Sequence, residues 1–155
     1  MQTPLDRMAD FDLSPEHRQL RQAVREFAEK ELLPFVETYE RESRYPLELI
    51  AKLPELGLLG LMIPEEYGGS FSDYTSYGII CEELARIDWV IASVVSVSNS
   101  LAACSILAFG TDAQKQRWLP GIAKGEVICS ACLTETGGGT DLGNGGGVAA
   151  EPIAH

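Results

Sequence analysis

Residues 90–109 form an almost unbroken apolar run, VIASVVSVSNSLAACSILAF, and it restricts the fold more than any other stretch of the chain. If helical, its twenty residues extend about 30 Å, long enough to cross a bilayer. Six of the twenty are polar, namely Ser93, Ser96, Ser98, Asn99, Ser100 and Ser105, and the flanking charges are sparse: Arg86, Asp88 and Asp112. A helix that is apolar on most sides fits the centre of a helical bundle. No membrane span is therefore expected, and the rest of the chain must supply surrounding helices.

Those helices are marked by their ends. Ser14, Pro15 and Glu16 supply an N-cap, a first-turn proline and an acid at the positive end of a helix dipole. Leu20, Val24, Phe27, Ala28 and Leu32 follow at helical spacing. Pro34 is expected to kink or end this helix, ahead of a polar stretch at 37–44. Tyr45 and Pro46 open a shorter helix with Leu47, Leu49, Ile50 and Leu53, closed by Pro54 and Gly57. GLLGLMIP at 57–64 reads as a buried connection, and PEEYGG at 64–69 as a turn.

Ser72 or Asp73 caps a third helix with an apolar stripe of Tyr77, Ile80, Cys81, Leu84 and Ile87. Glu82 and Arg86 on it have the spacing of an ion pair. Gly110 is expected at the C′ position of the central helix. Thr111 and Gln114 then form a capping box for a last helix, which Gly125 ends. VICSACL at 127–133 reads as a strand. Helices come first and a strand last, with no alternating βαβ pattern.

The formal net charge of −11 opposes binding to nucleic acid or to an anionic membrane face. Residues 1–12 carry charges and no apolar run, so no export signal is expected. Cys129 and Cys132 make a lone CxxC on the expected strand, where residues three apart point to opposite faces. With no second pair and no nearby histidine, no metal site is expected; Cys81, Cys104, Cys129 and Cys132 suit buried small positions in a reduced, cytoplasmic protein.

Seven glycines fall within residues 137–147. A Rossmann turn would need a third glycine where Leu142 stands, and a Walker loop would need a lysine after Lys124. Residues 143–147 read as a flexible linker. Thr134, Glu135, Thr140 and Asp141 are not linker residues, and glycine between them permits close backbone approach to a ligand.

CLTETGGGTD at 132–141 resembles the first signature of the acyl-CoA dehydrogenases. LMIPEEYGG at 61–69, CEELA at 81–85, FGTDAQKQRWLP at 109–120 and GE at 125–126 resemble further segments of that family in the same order, so the likeness covers about residues 12–141. The resemblance implies a mainly α fold. Residues 1–126 form the N-terminal helical bundle, 127–141 the first strand and flavin loop of a β-domain not completed in this chain, and 142–155 an atypical glycine-rich tail.

It also implies FAD, held along Ala131, Cys132, Leu133, Thr134, Gly139 and Thr140, with backbone groups and the Thr134 hydroxyl at the polar edge of the flavin. Fixed dipoles there stabilise the anionic reduced ring. Substrate contacts are implied for Thr140 and for Ser93, Val97 and Leu101, which stand at i, i+4 and i+8 on one face of the central helix. Ordinary core packing accounts for the same spacing, and sheet pairing for Thr134.

The implied reaction is α,β-desaturation of an acyl-CoA thioester by a homo-oligomer, a dimer or tetramer, that passes electrons to an electron-transfer flavoprotein. The family's catalytic glutamate lies on helices beyond the aligned region. No catalytic residue is assigned to this chain, and Glu135 matches a structural position. Asn144 and the residues from Gly145 onward depart from the family, which suits a truncated or altered product. Two other readings compete: a non-enzymatic helical interaction or structural module, and an acyl-CoA oxidase or flavin monooxygenase of the same fold.

Overall fold

The computed structural model describes residues 13–134, 136 and 138–140. The first twelve residues, Glu135, Asp141 and the tail 142–155 lie outside the described residues. Helix α1 (Pro15–Phe27) begins as expected: the Ser14 side chain accepts from the His17 N–H, with Pro15 in the first turn. Pro34 does not end it. A π turn, Ala28–Leu32, follows α1, and the Leu33 N–H reaches the Ala28 carbonyl, five residues back. The wider turn changes the register ahead of a residue that has no N–H to give. The chain therefore continues as α2 (Leu33–Glu42) through the expected polar stretch and stops at Ser43 in a left-handed conformation, φ 49°.

Helix α3 (Leu47–Ile50) is short, and a 3₁₀ turn at Leu53–Leu56 follows it. Asp73, rather than Ser72, caps α4 (Tyr74–Ala85), accepting from the Ser76 N–H. The central helix is continuous over Trp89–Phe109, long and apolar enough by length and composition to cross a membrane. It consists of α5 (Trp89–Ser96), a π turn (Val97–Ala103) and α6 (Cys104–Phe109). Gly110 closes it in an extended conformation, not the left-handed one expected. A side chain there would press on the Ile106 carbonyl. Helix α7 (Asp112–Ala123) opens with the Thr111–Gln114 capping box. Residues 128–134, expected as a strand, are irregular and find no ladder partner among the described residues.

Helices α1 and α4 pack side by side, and the chain turns back at Asp88 so that α5 packs on α4. Two core clusters result. The larger joins Val24, Ala28 and Leu32 to Ile80, Leu84, Ile91 and Val95; the smaller joins Ile63, Ala103, Leu119 and Ile122. Residues 58–63, the expected buried connection, cross from one to the other and are buried throughout.

Such an irregular segment must find partners for its backbone groups outside any helix. The returning residues Ser70, Phe71 and Ser72 donate to the carbonyls of Gly60, Ile63 and Leu61. Asn99, fully buried, accepts from the Met62 N–H at 3.1 Å and donates to the Leu58 carbonyl at 2.9 Å. Gly69 packs so closely that an added Cβ would stand 2.0 Å from the Ile63 carbonyl oxygen.

Glu83 is the one buried carboxylate of α4 among the described residues, its side chain 2% exposed. Arg25 binds it through two bonds of 2.9 Å, and Arg86 adds a third at 3.3 Å. The expected Glu82–Arg86 pair does not form. Glu82 meets Arg21 and Arg86 meets Glu29, because α1 and its π turn lie closer to these side chains than they do to each other. Burial by itself would raise the Glu83 carboxyl, but the Arg25 and Arg86 guanidiniums outweigh it and hold the group below its usual value.

Two outcomes follow. A carboxyl lowered in the folded state contributes stability above the ordinary glutamate value of about 4.3 and loses it as pH falls through the folded-state value. Urea unfolding should therefore show stability declining below that pH, with a shallower decline in Glu83→Gln. At neutral pH that variant should lose about 2 kcal/mol, less than a fully buried pair because the guanidiniums are partly solvated. Gly69→Ala should cost about 2–3 kcal/mol in the same assay, since the clash is with backbone rather than with a movable side chain.

Candidate functional site

The expected acyl-contact residues lie on the open side of the central helix. Ser93 and Val97 are half-buried and Leu101 is 43% exposed, while Val94, Val95, Ser98 and Asn99 are buried on the other side. The face is apolar with one hydroxyl, a surface suited to an alkyl chain. It carries no charged side chain.

The expected flavin residues lie on the segment after α7. Its start is anchored: Val127 and Cys129 pack on the second core cluster, against the end of the central helix and α7. Burial pushes the Cys129 thiol up, which keeps it neutral and unreactive at ordinary pH. Cys132, expected to be buried, is exposed.

Beyond this anchor Ala131, Cys132, Leu133 and Thr134 are all exposed, and their backbone groups make no hydrogen bond to other described residues. The loop then folds back. A Cβ on Gly139 would meet the Thr134 methyl at 3.1 Å, so glycine lets the two strands of the loop touch. Thr140 follows on the surface. The structure thus brings Thr134 and Gly139 together, and aligns Ser93, Val97 and Leu101 on one face. It shows no bond between the two groups among the described residues.

This loop fits the polar edge of a flavin. It offers backbone donors and acceptors that nothing described engages, a hydroxyl beside them, and small residues that permit close approach. The described carboxylates do not supply an obvious base, since the buried Glu83 is held by arginines.

Two features escape a reading of spacing alone. One is Asn99, whose only sequence signal is an amide inside an apolar run. The other is an open cleft of about 390 Å³ beside the loop, lined by Ser105, Ile106, Phe109, Gln114, Trp118 and Cys129. Phe109 is 89% exposed at its rim, and Arg117 stacks on the Trp118 ring at 4.5 Å.

Comparison with known proteins agrees with this arrangement. Residues 14–126 match the acyl-CoA dehydrogenase N-terminal domain. The mitochondrial short-chain specific acyl-CoA dehydrogenase of Bos taurus is 41% identical over 132 residues, which cover 85% of this chain and 32% of that protein. The solved butyryl-CoA dehydrogenase of Megasphaera elsdenii superposes with a TM-score of 0.77 at 36% identity, over 86% of this chain and 36% of that one. A chain solved in work on the electron transferring flavoprotein of Acidaminococcus fermentans superposes with a TM-score of 0.80 at 38% identity, over 87% of this chain and 36% of that one. The chain therefore spans about a third of the length of these relatives. On the match over 14–126, the helical bundle and the order of its motifs, the chain belongs to the acyl-CoA dehydrogenase family, whose N-terminal domain it carries.

Proposed function

We propose that the protein carrying this chain desaturates an acyl-CoA thioester between its α and β carbons, with FAD as cofactor and a short acyl group as substrate. The observation that carries this reading is the pairing of two surfaces on adjoining elements. One is the open apolar face of Ser93, Val97 and Leu101; the other is the unengaged backbone of Ala131–Thr134. The short acyl group is supported by the relatives, which include a short-chain specific enzyme and a butyryl-CoA dehydrogenase.

In this reading Val97 and Leu101 wall the acyl chain and exclude water from it, and Ser93 leaves room at the near end. The backbone of Ala131, Cys132 and Leu133, with the Thr134 hydroxyl, orients the flavin. Gly139 lets the loop close over Thr134, and Thr140 faces the thioester or the cofactor phosphates. FAD, when bound, supplies the two-electron acceptor. The chain's own residues fix the positions of the two reactants, and holding reactants in register is a large part of such a rate enhancement. The proton-abstracting base is assigned to a segment beyond the aligned residues. An electron-transferring flavoprotein is the proposed acceptor, on the likeness to the Acidaminococcus chain.

Two experiments test this. The FAD-reconstituted protein should be yellow and should bleach when butyryl-CoA is added without oxygen; a yellow protein that no acyl-CoA bleaches would overturn the reading. Oxygen uptake matching product formation would place it with the oxidases instead. Thr134→Val, which removes one hydrogen bond to the flavin edge, should weaken FAD retention about tenfold in a fluorescence titration.

A further inference from the structure

We propose that Asn99 is a positioning residue for acyl-chain selection: it pins the π turn Val97–Ala103, and the turn sets where Leu101 ends the pocket. The proposal rests on the acyl-CoA reading above and deepens it.

The turn is built by side chains. A change from α to π spacing leaves carbonyls at its entrance without their usual partners. Here the Val95 carbonyl accepts from Asn99 Nδ2 at 2.9 Å, and the Ser96 carbonyl accepts from Ser100 Oγ at 2.8 Å. Tyr77 on α4 donates to Ser96 as well, at 3.1 Å to its Oγ. At the turn's exit the Cys104 N–H reaches back five residues to the Asn99 carbonyl. The same Asn99 carboxamide is tied outside the helix to Leu58 and Met62. A fully buried amide that only filled space would be replaceable by leucine. This one joins the irregular turn to the irregular connection, and each supplies partners the other lacks.

The consequence falls on the pocket face. In an uninterrupted α-helix, at about 100° per residue, the i+8 residue has rotated roughly 80° away from residue i. Residue 101 would then leave the line of Ser93 and Val97. The wider π turn takes back part of that rotation. Leu101 stays on the open side, 43% exposed, between the buried Asn99 and Ala103. Its isobutyl group therefore closes the far end of the wall and favours short acyl groups. If the pin is lost and the turn relaxes toward α spacing, Leu101 swings aside and the pocket deepens.

The test uses the FAD-loaded protein and compares kcat/KM for butyryl-CoA and octanoyl-CoA. In Asn99→Ala the octanoyl-to-butyryl ratio should rise about tenfold, the scale on which a hydrophobic pocket discriminates methylenes. Ser100→Ala, a milder change, should shift it in the same direction but less. Ile122→Val, a control in the second core cluster, should lower the melting temperature and leave the ratio unchanged. Amide hydrogen exchange should rise at residues 97–104 in the two turn variants and not in the control. A uniform loss on both substrates that tracks melting temperature would overturn the proposal. Should Asn99→Ala fail to fold, an unchanged ratio in Ser100→Ala overturns it. Wild-type inactivity on both thioesters would remove the acyl-CoA reading and this proposal together; an active wild type with unmoved ratios removes this proposal alone.

Discussion

The Asn99 carboxamide bonds at once to the Leu58 carbonyl, the Met62 N–H and the Val95 carbonyl, and it does so with no exposure to water. Its position is the seam of the molecule. Leu58, Leu59 and Leu61 belong to the larger core cluster and Ile63 to the smaller, so the connection that Asn99 holds is shared by both. A buried stretch without regular structure is tolerable only when every polar group is answered. Asn99 answers two of them from the central helix, and the return through Ser70–Ser72 answers others from the opposite side. The packing of α7 against the turn Glu65–Tyr67 then follows from where the connection ends.

Much of the fold was legible in the sequence because it is written in local chemistry. The caps at Ser14 and Asp73 and the capping box at Thr111 depend on residues a few positions apart, and spacing alone reveals them. The buried connection was legible from its apolar residues and glycines. The π turns were not, since nothing in a helical pattern announces one extra residue per turn. Pro34 shows the difficulty: its usual effect is real, but a wider turn upstream absorbs it. The glutamates of α4 show another. Glu82 and Arg86 satisfy an intrahelical rule, yet both turn outward to charges on the first helix and its extension, and the unmarked Glu83 is the buried one.

The candidate site divides the same way. Ser93, Val97 and Leu101 were legible as a face, although the turn that keeps Leu101 on it was not. The flavin loop was legible as a motif rather than as a strand. A strand is defined by its ladder, and residues 128–134 meet no partner among the described residues. Identity of residues and identity of secondary structure are separate pieces of information here: the first is local, and the second depends on neighbours.

The pairing of α1 with α4 bears on the order of folding. His17 faces Asp73, Arg21 faces Glu82, Arg25 faces Glu83 and Glu29 faces Arg86, so the two helices run in the same direction with a separation of 56 to 61 residues between partners. Contacts this distant in sequence close a long loop before they return any stability, and they slow folding accordingly. The central helix and α4, joined by a tight turn at Asp88, need no such closure. The first helix is thus the last to dock. A newly made chain would pass through a state in which α4 displays an uncovered Glu83 beside bare apolar surface, and the arginines of α1 neutralise and cover that surface in one event.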